Sequence, residues 1–165
     1  MARSVEVIAA ELADREAIRE CLAKIARASD RAQLDLWREC FWPEAVDDHA
    51  GLFAGKMIEL LEKSMPFLDK LDGTTHFMGN LNFNALESDV AETETNAIAF
   101  LVLPGASAMA KEQVAMRSLR YLDTLRRTKE GWKICVRQHT LDWSCHVPAS
   151  YAVSLGQRLT KRPEF

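Results

Sequence analysis

Three residues far apart in the sequence have side chains that together could carry out acid–base chemistry: Asp30, His76 and Arg137. A carboxylate that accepts a hydrogen bond from one imidazole nitrogen fixes the tautomer of the ring and leaves the other nitrogen able to take a proton. A guanidinium, which stays cationic, can hold the negative charge that develops on a carbonyl oxygen or a leaving group. We interpret Asp30 and His76 as a general-base dyad and Arg137 as its electrostatic partner. In the simpler alternative, Asp30 caps a turn and Arg137 pairs with a surface acid.

The histidine lies in a stretch, residues 73–83, that reads as a β-strand. Successive side chains of an extended strand point to opposite faces. One predicted face carries His76, Met78, Asn80 and Asn82, and the other carries Phe77, Leu81 and Phe83. Because a buried polar group costs free energy unless it is hydrogen-bonded, an imidazole and two carboxamides on one face indicate the wall of a polar pocket. If the asparagine face is simply solvent-exposed, His76 is an ordinary surface residue.

Several large, uncharged side chains are candidates for the rest of the cavity wall. Apolar and soft side chains of this kind suit a ring-shaped, poorly charged small molecule. The candidates are Trp42, Phe53, Met57, Met78, Leu103, Met109, Met116 and Trp143. Each of them, taken alone, is also a normal component of a hydrophobic core.

The elements that would position these residues change in type near Gly73. Before it, apolar residues at helical spacing predict three helices: one from an N-cap at Asp14 to Asp30, one ending before Pro43, and one over 56–65. A short strand is predicted over 44–49. After Gly73, β-type runs cover residues 74–86, 92–103, 114–127 and 132–143. Since the links between them are too short for crossover helices, we predict an α+β fold whose three N-terminal helices cover a curved antiparallel sheet.

Length and composition predict a single domain over residues 1–165, with a tail at 1–11 and a C-terminal arm at 147–165. Basic and acidic residues number 21 and 24 and form no basic stripe, which argues against a nucleic-acid partner. No apolar run is long enough for a membrane span, so we expect no membrane partner and a cytoplasmic location. The four cysteines lack CxxC spacing and indicate reduced, packed thiols, and Cys145-His146 alone is too little for a metal site.

The order of these motifs resembles the SnoaL-like branch of the NTF2-like superfamily over about residues 12–145. The segments that carry the resemblance are Ser29-Asp30-Arg31, Trp37 to Pro43, Thr75 to Asn80, Tyr121 to Arg127 and Gly131 to Arg137. The sequence is similar to the scytalone dehydratases, the hexachlorocyclohexane dehydrochlorinases and the bile acid 7α-dehydratases. The resemblance implies a cone-shaped cavity without metal or organic cofactor, in which Asp30 and His76 match the catalytic dyad and Arg137 matches an arginine of the last strand.

One position departs from the dehydratases of this group. Several of them have a tyrosine about one helical turn before the dyad aspartate, where this sequence has Ile25. Another group would then have to polarise a carbonyl or assist the leaving group. Tyr121, Asn80, His139 and Arg137 are the candidates, and Arg137 ranks first because its charge does not depend on pH.

The sequence therefore predicts a cofactor-independent lyase, a dehydratase or related eliminase, that acts on a cyclic or aromatic hydrophobic small molecule. Two alternatives stay open: an isomerase or polyketide-type cyclase on the same fold, and a non-catalytic binding or assembly module with a vestigial cavity. A curved sheet leaves one face to be covered, and the resemblance implies oligomers, since the named relatives form trimers and others form dimers. We therefore also expect a homo-oligomer, a trimer or a dimer.

Overall fold

The computed structural model describes residues 3–104 and 113–148. Its elements in chain order are α1 (Val5–Asp30), α2 (Leu34–Cys40), β1 (Phe41–His49), β2 (Ala54–Lys56), α3 (Met57–Leu68), β3 (Gly73–Leu86), β4 (Val90–Leu103), β5 (Gln113–Thr128) and β6 (Gly131–Pro148). The helices pack against one face of a curved six-stranded sheet, so the predicted α+β class is confirmed. Met109 and all but the first residues of the predicted C-terminal arm lie outside the described residues.

The strands form one sheet in the order β2-β1-β6-β5-β4-β3. Strands β3 to β6 pair antiparallel, each with the next in sequence, as their short links predict. Strand β1 pairs antiparallel with β2 but parallel with β6. Parallel partners need a long connection, and here that connection comprises β2, α3 and the strands β3 to β5. We call the sheet face covered by the helices the inner face and the opposite one the outer face.

Helix α1 begins well before the predicted start, so the expected tail over 1–11 is wrong. The hydroxyl of Ser4 caps the helix by accepting a hydrogen bond from the backbone nitrogen of Val7, at 3.4 Å. Asp14, predicted as the N-cap, lies inside the helix and accepts hydrogen bonds from Arg127 Nη2 at 2.7 Å and Trp132 Nε1 at 3.1 Å. Its carboxylate therefore ties the helix to the two last strands instead of starting it.

A bulge in β3 changes which side chains face inward. Met78 pairs with Ala97 and Leu81 with Thr95, so two residues of β3 stand opposite one residue of β4. As a result Met78 and Leu81 both pack towards the core, whereas Asn80 is exposed. The predicted placement of Asn80 and Asn82 on the face of His76 is therefore wrong. Strict alternation fails because the inserted residue reverses the facing of everything after it.

A second bulge lies in β6 at Cys135. Thr124 pairs with Val136 and Leu125 with Ile134, which leaves Cys135 as the extra residue. Ile134 and Arg137 are consequently both buried, although an odd number of positions separates them. The bulge allows one strand to supply the core with an isoleucine and the inner face with an arginine.

The main core lies between the helices and the end of the sheet that contains the β3–β4 and β5–β6 turns. It joins residues of α1 and α3 to the inner faces of β4, β5 and β6: Ile18, Leu22, Ile25, Met57, Leu61, Ala91, Leu125, Trp132 and Ile134. Burying one aliphatic side chain of this size contributes about 1.5–3 kcal/mol, so this cluster holds the helices over the sheet. All four cysteines are free thiols, with Cys21 and Cys40 buried but Cys145 exposed rather than packed. Over the described ranges, no helix has the length and apolar character required to cross a bilayer.

Candidate active site

A cavity of about 140 Å³ lies between the helices and the inner face of the sheet. For comparison, an engineered apolar cavity of about 150 Å³ holds a benzene molecule. Its apolar lining includes Ile25, Trp37, Phe41, Met57, Met78 and Leu119. Its polar lining includes Asp47, His49, His76, Tyr121, Arg137 and His139. The cavity therefore has room for one small ring and offers it both apolar contacts and titratable groups.

The structure brings Asp30 and His76 into direct contact. His76 Nδ1 lies 2.7 Å from Asp30 Oδ1, and the backbone nitrogen of His76 donates to Oδ1 and Oδ2 at 2.9 and 3.1 Å. Asp30 is the last residue of α1, and the chain turns away through Ala32, whose φ is 51°. The side chains of His76 and Asp30 are 15% and 24% exposed. Since a carboxylate can only accept at Nδ1, it favours the tautomer whose Nε2 is unprotonated.

Arg137 lines the same cavity but is paired with a buried acid. Its Nε and Nη2 donate to Asp123 Oδ1 and Oδ2 at 2.7 and 2.8 Å, a bidentate pair between neighbouring strands. Its guanidinium also lies 4.2 Å from the ring centroid of Tyr121. Burial would lower the pKa of Arg137, but the attraction of Asp123 outweighs it and raises that pKa above its ordinary value. The partner is thus neither a surface acid nor a substrate, and much of the positive charge is balanced inside the protein.

Strand pairing arranges the polar residues of the inner face in two parallel rows. The first row runs across β1, β6, β5 and β4 through Asp47, Arg137, Asp123 and Thr93. The second row, two residues along each strand, runs through His49, His139, Tyr121 and Thr95. Neighbours in a row stand about 5 Å apart, close enough for side-chain contact. The sheet therefore concentrates acid, base and phenol groups on one cavity wall.

The second row contains a close contact between two imidazoles. His139 Nδ1 lies 3.0 Å from His49 Nδ1, and His49 Nδ1 lies 3.2 Å from Asp47 Oδ1. Burial, with the nearby charges of His49, Arg137 and His76, lowers the pKa of His139 to about 2, so this imidazole is neutral. Burial raises the pKa of Tyr121 to about 12, so its phenol keeps its proton.

Sequence reasoning missed Asp47 and His49 as site residues. They occupy alternate positions of a strand that was predicted over 44–49, so both point to the same face. Two ionisable residues on the same face of a predicted strand are the signal that the sequence contains. Their partners are on β6, about ninety positions further along the chain, and no local pattern indicates that pairing.

Four of the predicted lining residues do line the cavity: Met57, Met78, Tyr121 and His139. Three others lie elsewhere for reasons of strand geometry. Trp42 follows the inward-facing Phe41 and so points outward from β1. Leu103 packs near the far end of β4 against Leu68 and its neighbours. Asn80 is turned outward by the bulge in β3.

Phe53, Met116 and Trp143 are also outside this cavity. The ring of Phe53 lies beside α3, 4.9 Å from Lys63 Nζ. Met116 belongs to the outer face, because its two neighbours in β5 take the inner positions. Trp143 also belongs to the outer face, because it pairs with Ser118, two positions after Met116 on β5. Within the described residues there is no group of three or more His, Cys, Asp or Glu side chains arranged to hold a metal ion.

The fold and the cavity together define the class: a small α+β protein whose sheet and helices enclose a pocket with a hydrogen-bonded Asp–His pair. Residues 10–138 match the SnoaL-like domain family, and the chain belongs to that family. The predicted family and its NTF2-like cone fold are therefore confirmed.

Solved structures with the same fold include enzymes of elimination chemistry. A candidate scytalone dehydratase from Novosphingobium aromaticivorans superposes with a TM-score of 0.71 at 15% identity, covering 81% of this chain and 87% of its own. The hexachlorocyclohexane dehydrochlorinase LinA-type3 from Novosphingobium barchaimii superposes with a TM-score of 0.70 at 16% identity, covering 82% and 91%. At such identities the likeness shows the fold alone. In sequence, the chain is 26% identical to Rv2910c of Mycobacterium tuberculosis over 133 aligned residues. The aligned region covers 79% of this chain and 87% of that protein.

Proposed function

We propose that the protein is a cofactor-independent lyase, a dehydratase or related eliminase, with Asp30 and His76 as its catalytic dyad. The observation that carries this proposal is the 2.7 Å contact between His76 Nδ1 and Asp30 Oδ1 at the edge of a ligand-sized cavity. An imidazole held in one tautomer by a carboxylate is a general base at neutral pH. The relatives of known structure that are named for dehydration or dehydrochlorination support the same reaction class.

In the proposed reaction His76 Nε2 takes a proton from a carbon next to an activating group. The electrons of that C–H bond form the new C=C bond, and the leaving group departs with the electrons of its own bond to carbon. Asp30 keeps the ring oriented and balances the charge of the imidazolium while it exists. For a hydroxyl leaving group, the imidazolium returns its proton to the departing oxygen, so that water is released and His76 is neutral again.

Arg137 contributes to this site through its field. Two of its donor nitrogens are held by Asp123, so we assign it the stabilisation of negative charge at the cavity wall rather than a bidentate grip on the substrate. The paired carboxylate weakens that field. The proposed substrate is accordingly an uncharged, hydrophobic ring compound of modest size, held against Met57 and Met78.

The test uses mass spectrometry and one conservative variant. Cyclic β-hydroxy ketones are incubated with the protein, and loss of the mass of water is measured. His76→Gln keeps the volume and a hydrogen-bonding group but cannot accept a proton as a base, so it should abolish turnover and leave the melting temperature unchanged. Full turnover in the His76→Gln protein on a substrate that the wild type dehydrates would end the proposal.

An isomerase or polyketide-type cyclase is the second candidate, and one observation favours it. His76 lines the cavity and is held by Asp30, so this one imidazole could remove a proton at one carbon and return it to another carbon of the same substrate. Such a reaction leaves the mass unchanged but exchanges substrate hydrogen for deuterium in heavy water. The third alternative, a non-catalytic binding module, is weakened because Asp30 and His76 are within hydrogen-bond reach.

We further propose that the protein forms a homo-oligomer through the outer face of its sheet. Strand pairing places five apolar residues together there, which we call the outer patch: Phe77, Ile98, Phe100, Met116 and Trp143. Phe77 and Trp143 are 66% and 50% exposed. A contiguous exposed apolar patch on a sheet is typical of a protein–protein interface. A second copy, which brings an identical patch, can cover it in a self-complementary way.

A further inference from the structure

The contact between His49 and His139 has only one consistent arrangement of protons. His49 Nδ1 faces two groups at once, Asp47 Oδ1 at 3.2 Å and His139 Nδ1 at 3.0 Å. If His49 Nδ1 had no proton, its lone pair would face a buried carboxylate that has nothing to donate. A proton on His49 Nδ1 can be shared between Asp47 Oδ1 and His139 Nδ1 as a three-centre hydrogen bond. The carboxylate of Asp47, 3% exposed, therefore selects the Nδ1–H tautomer of His49.

The tautomer of His49 then fixes that of His139. Because His49 Nδ1 carries a proton, His139 Nδ1 can only accept at a separation of 3.0 Å, since two N–H groups would repel each other. A neutral imidazole has a single proton, and in His139 it must be on Nε2. Since Nδ1 is turned to His49 and the ring lines the cavity, Nε2 is the nitrogen that remains for a ligand.

The surroundings keep His139 neutral rather than cationic. The groups that face it are His49 and Asp47 from β1, Tyr121 and Arg117 from β5, Arg137 from its own strand and His76 from β3. Burial and the cations among them disfavour a second proton on this ring. A neutral imidazole is a hydrogen-bond donor that adds no charge to the cavity, which suits an uncharged ligand.

We propose that Asp47 and His49 are positioning residues that hold His139 as a neutral Nε2–H donor, and that this donor binds an uncharged oxygen, carbonyl or hydroxyl, of the substrate. Its catalytic part rests on the proposed function: His76 would remove a proton next to the carbonyl while His139 Nε2–H binds the oxygen on which negative charge develops. No proton leaves His139 in this role, so the reaction remains balanced as written above. His139 then takes the place of the tyrosine that the chain lacks at Ile25, ahead of Arg137, whose donors are held by Asp123.

Long-range proton–nitrogen correlation spectra of protein with labelled histidine test the tautomers without any substrate. The chain has four histidines, so single substitutions assign every signal. We expect His139 protonated on Nε2, His49 protonated on Nδ1, and no charging of His139 as the pH falls from about 8 to 5. In Asp47→Leu both histidines should show a second tautomer, whereas Asp48→Leu, an outward-facing acid on the same strand, should change nothing. A wild-type His139 with its proton on Nδ1, or one that becomes cationic in this range, would overturn the proposal even if Asp47→Leu does not fold.

A matched pair of probes tests the ligand. Acetophenone and α-methylstyrene have the same shape, but only acetophenone has a carbonyl oxygen. We expect acetophenone to bind about fivefold more tightly, as one neutral hydrogen bond predicts. The preference should vanish in His139→Met and persist in part in His139→Gln, whose amide nitrogen can stand in for Nε2.

Equal binding of the two probes, or binding of neither up to their solubility limit, contradicts the ligand assignment. His76→Gln separates this proposal from the proposed function, because it should leave the preference for acetophenone intact whether or not His76 is the catalytic base. A preference for acetophenone that disappears in His76→Gln but survives in His139→Met would show that the hydrogen-bond donor is His76 and not His139.

Discussion

Replacing Arg137 with methionine tests whether this arginine is needed by the fold as much as by the site. The guanidinium is bound through Nε and Nη2 to Asp123 and stands beside Asp47 on its other neighbouring strand. These two aspartates are 2% and 3% exposed. Methionine fills most of the volume of arginine, so the substitution removes the charge and leaves two buried carboxylates without a cation.

The expected cost follows from the number of charges left unpaired. Removing one partner of a buried ion pair costs about 3–5 kcal/mol. Because Arg137→Met leaves two carboxylates unpaired, we expect it to lower the free energy of unfolding by about 5 kcal/mol. Asp123→Asn should cost less, about 3 kcal/mol, because the arginine can still interact with Asp47. For a chain of this length, a loss of about 5 kcal/mol lowers the melting temperature by about 10–20 °C. The double variant Arg137→Met/Asp123→Leu should recover part of that loss.

Urea and thermal unfolding, followed by circular dichroism at neutral pH, measure these differences. Matched slopes of unfolding free energy against urea would show that the variants unfold from the same native state. The reasoning is refuted if Arg137→Met stays within about 1 kcal/mol of wild type, or if Asp123→Asn is the more damaging change. Either result would mean that the buried carboxylates are neutral or find other partners, and Arg137 would then be free to act on a substrate.

Two further predictions concern the cavity wall and the outer face. Because burial raises the pKa of Tyr121 to about 12, while a free tyrosine ionises near pH 10, the wild type should lose about 2–3 kcal/mol of stability between those values as only the unfolded chain releases the proton. Tyr121→Phe should lack that loss in alkaline urea titrations, and an identical decline in both proteins would contradict the buried phenol. Trp143→Lys should convert an oligomer to monomers in light scattering, whereas Phe67→Lys on α3, away from the outer patch, should not; a monomeric wild type refutes the interface.

The architecture could be predicted because most of it depends on local patterns. The apolar spacing of Ile18, Leu22 and Ile25 identifies the buried side of α1, and the short links after Gly73 force the long strands to pair antiparallel. The start of α1 was not predicted correctly because its first turns are only weakly amphipathic. Apolar residues such as Val5 and Leu12 are exposed there, so no buried apolar face marks the beginning of the helix. There the Ser4 cap, not burial, begins it.

The composition of the cavity wall could be predicted only in part, because facing depends on bulges. Period-two alternation assigns a side chain to a face correctly until the first inserted residue, after which the assignment reverses. In β3 this error puts Asn80 inside and Leu81 outside, the opposite of what the structure has. In β6 the same rule would separate Ile134 from Arg137, which both point inward.

The parallel pairing of β1 with β6 is the feature that makes the site more than an Asp–His dyad. A one-residue slip in its register would move Asp47 and His49 to the outer face and leave Arg137 with Asp123 as its only carboxylate neighbour in the row. The observed register instead puts an acid beside the arginine and an imidazole beside His139 at the same time. Since buried polar groups are costly unless they have partners, the pairing of Asp47 with Arg137 and of His49 with His139 favours this register. The pairs that fix the register of β1 against β6 therefore also set the tautomer of His139, the ring that we propose faces the ligand.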